Sequence, residues 1–171
     1  KKHLGDLSGK WADIDVLVNN AGGALGKEPI QDGAIEDWDT MIDTNVKGLL
    51  YVTKVLLPIM CKNQKGHIVN LCSIAGKQVY SEGNVYCAAK HAVDAISKGI
   101  RIDALPYNVK VTNICPGAVE TEFSIVRFHG DTEKAAATYK GFTPLTAEDI
   151  ADTIMYCVSL PAHVCINDLT I

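Results

Sequence analysis

Residues 67–90 read HIVNLCSIAGKQVYSEGNVYCAAK: an apolar run, a loop that contains two glycines, and the start of an alanine-rich segment. The apolar run predicts a buried strand, and the segment after the loop predicts a long helix. Strands and helices alternate along the rest of the chain, which predicts an α/β fold whose parallel sheet is covered by helices on both faces. We predict strands at 67–73, 109–115 and 166–171, a strand and turn at 15–23, and helices at 1–11, 36–60, 84–105 and 146–160. Thr146 and Asp149 resemble a capping box that opens the last of these helices.

Tyr86 and Lys90 lie four residues apart and therefore on one face of the predicted helix. A cation beside a phenol favours the phenolate and brings its pKa from about 10 toward the neutral range that acid–base catalysis needs. Ser73, at the end of the apolar run, can offer a hydroxyl from the opposite side. The three side chains could bind a carbonyl or alcohol oxygen and move its proton, although a tyrosine and a lysine at this spacing are common and more often structural.

Unusual residues follow all three of the complete predicted strands: residues 19–22 (Asn-Asn-Ala-Gly), Ser73, and Pro116-Gly117. The carboxyl ends of parallel strands lie at one edge of a sheet, and ligands in such folds bind just beyond this edge. Tyr86 and Lys90 open the helix that follows Ser73, so we expect them at the same edge. This convergence favours a catalytic interpretation of Tyr86.

Asn45 falls within the apolar stripe of the helix predicted at 36–60, three residues after Ile42 and four after Met41. A buried amide without partners costs about 1–3 kcal/mol per unmet group. Asn45 is therefore either a structural residue that bonds to the backbone or part of a wet functional pocket, and the spacing does not decide between them. Residues 120–141 are polar with scattered apolar anchors, which predicts a lid with some helix.

The 171 residues are enough for one domain with a substantial core. The formal net charge of −4 argues against nucleic acid or an anionic membrane as a partner, and no apolar run reaches the ~20 residues that span a bilayer. The histidines are scattered and the cysteines form no C-x-x-C pair, so we predict no metal site and a reducing, cytoplasmic location. The cysteines expected to act as small buried hydrophobes are Cys61, Cys72, Cys87, Cys115, Cys157 and Cys165.

Five motifs of this chain resemble those of the short-chain dehydrogenases/reductases and occur in the same order along the chain. They cover essentially the whole chain, and their order makes the resemblance specific. A looser resemblance, to the subgroup of NADP-dependent 3-hydroxy acid (serine or allo-threonine) dehydrogenases, rests on residues 119–131 (VETEFSIVRFHGD) and 159–164 (SLPAHV). The five motifs are N-N-A-G at 19–22, T-N-V-K-G at 44–48, Ser73 thirteen residues before the tyrosine, Y-x-x-x-K at 86–90 and P-G-x-V-x-T at 116–121.

The resemblance implies an NAD(P)-dependent oxidoreductase built on a Rossmann-like, doubly wound parallel sheet. Its substrate would be a small secondary alcohol or ketone, and the subgroup implies a 3-hydroxy acid such as serine or allo-threonine, with NADP as cofactor and NAD as the alternative. Tyr86 would be the acid/base, and Ser73 would position the substrate oxygen. Lys90 would lower the pKa of Tyr86 and hold the nicotinamide ribose hydroxyls. Asn45 would order a water in a proton path through Lys90.

The resemblance also implies which residues meet the cofactor and how subunits associate. The loop at 20–22 would line the adenosine and pyrophosphate side, and Thr121 would bond the nicotinamide carboxamide. Two long helices in this family pair with their copies on a neighbouring subunit, which implies a homodimer or homotetramer. The implied cofactor-binding residues are Asn20, Ala21, Gly22, Tyr86, Lys90, Pro116, Gly117, Val119 and Thr121.

The chain departs from the family pattern at its start, where the family's first strand, its T-G-x-x-x-G-x-G turn and the residue that selects NAD or NADP are absent. We therefore expect residues 1–171 to be the C-terminal two thirds of a single Rossmann-like domain. Such a fragment would lack the N-terminal βαβ part and the extreme C-terminus, and it would bind dinucleotide poorly by itself.

Two other functions use the same fold. A nucleotide-sugar epimerase or dehydratase also carries tyrosine and lysine at this spacing, but it usually has a larger C-terminal substrate domain than the short polar segment after Thr121 provides. A non-catalytic cofactor-binding regulator or scaffold often loses the tyrosine or the lysine. Here Asn45, Ser73, Tyr86 and Lys90 are all present, which favours an enzyme.

A 3-hydroxy acid carries a carboxylate, and burying that charge is costly unless a cation meets it. Arg127, in the predicted lid, can meet it because a planar guanidinium can bond both carboxylate oxygens at once. The alternative is a solvated Arg127 that pairs with Asp131 or Glu122. Lys77, shortly after Ser73, is the reserve candidate.

Overall fold

A computed structural model of the protein describes Gly9 and residues 13–171. Four parallel strands form one sheet in the order β1-β2-β3-β4, which confirms the predicted parallel sheet. The strands predicted at 67–73 and 166–171 are shorter than expected, and the helix predicted at 1–11 lies outside the described residues. The strands are β1 Val16–Asn19, β2 Gly66–Leu71, β3 Val109–Cys115 and β4 Asp168–Thr170.

The helices agree with the sequence pattern except at residues 43–48. The helix predicted to begin at Asn84 is confirmed, as is the capping box in which Thr146 and Asp149 each accept a hydrogen bond from the backbone N–H of the other. The helix predicted at 36–60 is not continuous, because residues 43–48 form a π-helical turn. The predicted lid carries two short helices. The helices are α1 Ile35–Ile42, α2 Leu49–Asn63, α3 Asn84–Ala104, α4 Phe123–Arg127, α5 Thr132–Ala137 and α6 Ala147–Ser159.

The two central strands, β2 and β3, are buried on both faces. Successive residues of a strand point to opposite faces, and Ile68 of β2 packs with Val111 of β3 in a core that also contains residues of α2 and α3. The next residue, Val69, packs on the other face with Cys157 of α6. Each of these side chains is at most 1% exposed. Burying an aliphatic side chain of this size stabilises the fold by about 1.5–3 kcal/mol, so these contacts hold the helices against the sheet.

The strand register brings the carboxyl ends of β1, β2 and β3 to one edge of the sheet, which we call the carboxyl edge. Asn19 pairs with Asn70, and Asn70 pairs with Asn113. The chain remains paired just past the ends of β2 and β3, where Ile74 N donates to Pro116 O at 2.9 Å. The residues that follow the strands therefore meet at this edge, as predicted.

All six cysteines carry free thiols; four are buried, and Cys61 and Cys165 are partly exposed. Within the described part of the chain, no three His, Cys, Asp or Glu side chains come together in a way that could hold a metal ion. No helix in that part has the length and apolar character needed to cross a membrane.

Candidate active site

Tyr86 lies in the first turn of α3 and is 8% exposed. Its ring packs edge-on against the Phe123 ring, with 5.7 Å between the centroids. Burial raises the pKa of Tyr86 above its usual value of about 10, and the nearby Ser73 hydroxyl and Arg127 guanidinium oppose this effect. The prediction that a neighbouring cation brings the pKa below 10 is therefore wrong for this structure, because the loss of hydration outweighs the favourable polar groups.

Lys90 lies one turn after Tyr86 on the same face of α3 and is 6% exposed. Its Nζ is 5.8 Å from the centroid of the Tyr86 ring and donates to Leu71 O, at the end of β2, at 2.9 Å. Burial lowers the pKa of Lys90. An ammonium has three N–H donors, and Leu71 O is its single hydrogen-bond acceptor among the described residues. The lysine can thus bind further acceptors beside the tyrosine.

Asn45 lies in the π-helical turn between α1 and α2 and is 2% exposed. Its Nδ2 donates to Met41 O and to Gly23 O, each at 2.8 Å, and its Oδ1 accepts from Gly23 N at 3.2 Å. The amide therefore bonds to the backbone, as the first of the two predicted alternatives requires. A Cβ on Gly22 would lie 2.6 Å from the Asn45 Oδ1 and 3.5 Å from the Lys90 Nζ, so Asn45 also lies at the candidate site. Turns of the π type occur frequently at functional sites.

Ser73 begins the short turn that follows β2. Its Oγ accepts from Ala75 N at 3.1 Å and donates to Pro116 O at 3.4 Å. The hydroxyl also lies close enough to Tyr86 to lower the pKa of the phenol. Ser73 and Tyr86 are therefore together at the carboxyl edge, as the sequence predicted.

The residues predicted to meet a cofactor also lie at the carboxyl edge. Residues 20–22 leave the end of β1 and are exposed. Residues 116–121 leave the end of β3, where Gly117 N donates to Ile171 O at 2.8 Å. Thr121 is exposed, and its Oγ1 accepts from Phe123 N at 3.2 Å at the start of α4. The loop at 20–22 is the nearer of the two to Lys90, since a Cβ on Gly22 would lie 3.5 Å from the Lys90 Nζ.

Arg127 lies at the end of α4 and is 9% exposed. Its Nε donates to Gly26 O at 3.0 Å, and its Nη1 donates to the Tyr80 hydroxyl at 2.9 Å. The guanidinium carbon is 5.7 Å from the centroid of the Tyr86 ring. The alternative of a solvated Arg127 that pairs with Asp131 or Glu122 is wrong. The side chain is buried, and its hydrogen bonds go to Gly26 and Tyr80.

Lys77, the reserve candidate for a substrate carboxylate, is engaged elsewhere. Its Nζ bonds Asp94 of α3 at 2.5 Å and Asp168 of β4 at 2.6 Å. Burial lowers the pKa of Lys77, but the two carboxylates outweigh it, so the pKa is raised. Two carboxylates already neutralise this ammonium, so the reserve role is wrong. Lys77 instead ties the turn that carries Ser73 to a helix and a strand.

A row of polar side chains crosses the sheet beneath the carboxyl edge, and the sequence reasoning did not identify it. The Asn19 Nδ2 donates to the Asn70 Oδ1 at 2.8 Å, and the Asn70 Nδ2 donates to the Ser97 Oγ of α3 at 2.9 Å. The Asn113 Nδ2 donates to the Asp94 Oδ1 at 3.0 Å. An asparagine near the end of each of three strands was the signal that could have revealed the row. These bonds fix α3, and with it the candidate site, to the sheet.

A narrow cleft opens beside Tyr86 and Arg127, which both line it. Its other walls include the apolar side chains of Trp38 and Met41 and the carboxylate-bearing Glu82. Its cavity volume is about 10 Å³, roughly the space that one water molecule occupies. The structure thus places a buried phenol and a buried guanidinium on one small cleft, and the buried Lys90 ammonium beside the phenol ring.

Comparison with known proteins agrees with this geometry. Residues 1–131 match the family model described as short chain dehydrogenase. The chain belongs to the short-chain dehydrogenase family. The resemblance of the five motifs to this family, and the Rossmann-like doubly wound sheet that it implied, are confirmed.

Relatives within the short-chain dehydrogenase family also agree with the looser subgroup resemblance. The chain is 52% identical over 165 residues to the NADP-dependent 3-hydroxy acid dehydrogenase YdfG of Salmonella typhi, an alignment that covers 96% of this chain and 66% of that protein. It is 48% identical over 169 residues to the serine 3-dehydrogenase of Agrobacterium fabrum, with 99% and 68% covered. The chain therefore spans about two thirds of the length of these relatives.

Two solved structures superimpose on almost the whole chain. The closed form of serine dehydrogenase complexed with NADP+ superimposes with a TM-score of 0.97 at 48% identity, covering 99% of this chain and 69% of that one. The serine dehydrogenase from Escherichia coli superimposes with a TM-score of 0.84 at 41% identity, covering 99% and 68%. The described residues therefore have the same fold as the matching parts of two serine dehydrogenases.

Proposed function

We propose that the protein transfers a hydride between NADP and the carbinol carbon of a 3-hydroxy acid such as serine or allo-threonine. The observation that carries the proposal is the buried Tyr86 phenol at the carboxyl edge, flanked by Lys90 and Arg127 beside a small cleft. The names of the relatives, NADP-dependent 3-hydroxy acid dehydrogenase and serine 3-dehydrogenase, support the substrate class and the cofactor.

The residues at the carboxyl edge fit a nicotinamide cofactor. Lys90 is a buried ammonium with donors to spare, which suits the two hydroxyls of a ribose. The exposed loop at 20–22 and the segment at 116–121, including Thr121, present backbone and hydroxyl groups for the rest of the dinucleotide. When bound, the cofactor would supply the hydride acceptor and, in its oxidised form, a positive charge over the site.

The chain's own residues would move the proton. In the oxidation direction Tyr86 would first release its own proton, and the resulting phenolate would take the proton of the substrate hydroxyl as the carbinol C–H bond breaks and its hydride passes to the cofactor. In the reverse direction the phenol would return that proton. The raised pKa keeps the phenol protonated near neutral pH, so Tyr86 is prepared for the reverse direction. Ser73 would hold the substrate oxygen in place. Lys90, with Asn45 beside it, would relay the proton through a water toward solvent.

Arg127 would bind the substrate carboxylate. Its burial removes competing water, which strengthens the attraction between a guanidinium and a carboxylate. The centroid of the Tyr86 ring lies 5.7 Å from the guanidinium carbon, so a substrate whose carboxylate is bound by Arg127 would lie next to the acid/base residue.

The test is to incubate the intact protein with NADP and serine, allo-threonine or 3-hydroxypropionate and follow the absorbance of reduced nicotinamide. We expect reduction with at least one of these acids. Binding of NADP without its reduction would favour the alternative function, a non-catalytic cofactor-binding regulator or scaffold with the same fold. Turnover of a nucleotide sugar without net reduction would favour the epimerase or dehydratase.

We also propose a homodimer or homotetramer in the cytoplasm, with residues 1–171 forming part of a single domain. The support is the presence of exposed apolar side chains on the two long helices, Leu50 and Tyr51 on α2 and Ile102 on α3. Each of these side chains is at least 41% exposed, and pairing of these helices with their copies would bury them. The six free thiols support a reducing compartment.

A further inference from the structure

The loop between β2 and α3 holds the guanidinium of Arg127 through one hydroxyl. Tyr80 lies in this loop, partly buried, and its hydroxyl accepts from the Arg127 Nη1 at 2.9 Å. The guanidinium carbon is also 5.6 Å from the centroid of the Tyr80 ring. With the bond from Nε to Gly26 O, the arginine is fixed at two of its three nitrogens.

The Tyr80 ring is itself held in one place. A Cβ on Gly83 would overlap the ring, so the ring occupies the space that the missing side chain leaves. Gly83 N donates to Tyr80 O at 3.1 Å, and Glu82 between them adopts a left-handed backbone conformation with φ of 63°. Residues 80–83 therefore form a tight turn directly before α3, the helix that carries Tyr86.

These contacts decide which edge of the guanidinium can meet a ligand. A guanidinium has five N–H donors in a fixed plane. Gly26 uses the Nε donor and Tyr80 uses one Nη1 donor, while the other three have no acceptor among the described residues. A carboxylate must therefore approach the Nη1 and Nη2 end of Arg127, and Tyr80 sets the direction in which this end points.

We propose that Tyr80 is a positioning residue that makes the site selective for substrates with a carboxylate, acting through Arg127. The inference rests on the proposed function, because it requires that Arg127 bind the substrate carboxylate. Tyr80 does not act on the reacting oxygen. Its removal should therefore weaken binding of the acid and leave the chemical step unchanged.

The experiment compares Tyr80→Phe with the parent on a 3-hydroxy acid and on its uncharged methyl ester, using the intact protein. The phenyl ring still fills the space over Gly83, but the hydrogen bond to Arg127 is lost. We expect KM for the acid to rise on the order of tenfold, as for a lost hydrogen bond to a charged group. We expect kcat for the acid and both constants for the ester to stay within about twofold of the parent.

Tyr139→Phe is the matched control. The Tyr139 hydroxyl also bonds within the lid, to Ser124 Oγ at 2.7 Å and to Val119 O at 3.0 Å, but it does not contact Arg127. This variant should affect acid and ester alike. A second comparison places Tyr80→Phe in an Arg127→Met background, where it should cause no further loss on the acid, because coupled residues are not additive.

Equal losses on acid and ester in Tyr80→Phe, or a loss that adds fully to that of Arg127→Met, would overturn the role of Tyr80. If none of the 3-hydroxy acids supports reduction of NADP by the parent, the proposed function fails instead. Calorimetric titration with 3-hydroxypropionate then still tests Tyr80, since it needs no turnover. Weaker binding in both Tyr80→Phe and Arg127→Met, but not in Tyr139→Phe, would support the positioning role, and unchanged binding would overturn it.

Discussion

Two cations flank the Tyr86 ring at almost the same distance, and they reach it in different ways. Lys90 lies 5.8 Å from the ring centroid and comes from the same helix, four residues away. Arg127 lies 5.7 Å from the centroid and comes from the lid. Helical periodicity alone places the lysine. The arginine depends on tertiary contacts with Gly26 and Tyr80, which are 101 and 47 residues away in the chain.

The two cations also have different partners, and we infer different roles from this. Lys90 bonds the backbone at the end of β2, next to the segments proposed to bind the cofactor. Arg127 lines the substrate cleft together with Tyr86. Changes to Lys90 should therefore affect every substrate, and changes to Arg127 should affect only substrates with a carboxylate.

The largest expected effect is on the residue that both cations flank. Tyr86→Phe keeps the ring but removes the proton, so kcat should fall by at least ~100-fold on acid and ester alike. NADP should still bind, as measured by titration of the intact protein. If the variant retains most of its activity on every alcohol, neither cation serves an acid/base tyrosine.

Arg127→Met should separate the two cations. We expect kcat/KM for a 3-hydroxy acid to fall by one to two orders of magnitude, equivalent to roughly 1.5–3 kcal/mol, and little change for the methyl ester. Steady-state kinetics on the two substrates measure this directly. An equal loss on both would mean that Arg127 shapes the lid and does not bind the carboxylate.

Much of the structure around Tyr86 and Lys90 could be predicted from the sequence, because it depends on local patterns. The Tyr86–Lys90 face, the strand at 109–115 and the Thr146 cap all follow from short-range periodicity and capping. The π-helical turn at 43–48 could not be predicted, since an inserted residue in a helix leaves the apolar pattern nearly unchanged.

The position of Arg127 and the pKa of Tyr86 were harder to predict from the sequence, for physical reasons. Arg127 is a plausible carboxylate ligand by residue type, but its burial depends on how distant segments fold around it. The pKa of Tyr86 was predicted to fall because only the neighbouring cation was considered. Desolvation depends on the packing of the whole site, and here it has the larger effect.

His67 provides a comparison with a region remote from both cations, at the amino end of β2. Its Nε2 is 2.7 Å from the Thr112 Oγ1, and its Nδ1 has no hydrogen-bond partner among the described residues. Burial, and then the nearby Lys110, lower the pKa of His67 to about 4. The folded protein therefore keeps the ring neutral at pH values where the unfolded chain, with a pKa of about 6.5, binds a proton.

The stability that this neutral ring contributes is complete above about pH 6.5 and is lost as the pH falls toward 4. By pH 5 the free energy of unfolding should have dropped by about 2 kcal/mol on this account. Urea titrations at pH 7.5 and pH 5 should show this loss in the parent and in the exposed control His163→Gln, but not in His67→Gln. The ratio of acid to ester activity should stay constant in all three. A pH-dependent loss of the same size in His67→Gln would contradict the assignment.

The smallest expected kinetic effect concerns the outer faces of the long helices. Light scattering at micromolar concentration should show a dimer or tetramer for the intact protein. Ile102→Glu should weaken this assembly, because it puts a charge on an apolar contact surface. Any loss of activity should be equal on acid and ester, since Ile102 contacts neither cation. A monomeric parent at this concentration would contradict the proposed assembly.

The most direct measurement of hydride transfer at Tyr86 uses a 3-hydroxy acid with deuterium on the carbinol carbon. With the intact protein and NADP, deuterium should appear at C4 of the reduced nicotinamide. In Tyr86→Phe the rate of this transfer should fall by at least ~100-fold. Reduced nicotinamide that carries no deuterium, or transfer at an unchanged rate in Tyr86→Phe, would contradict the mechanism.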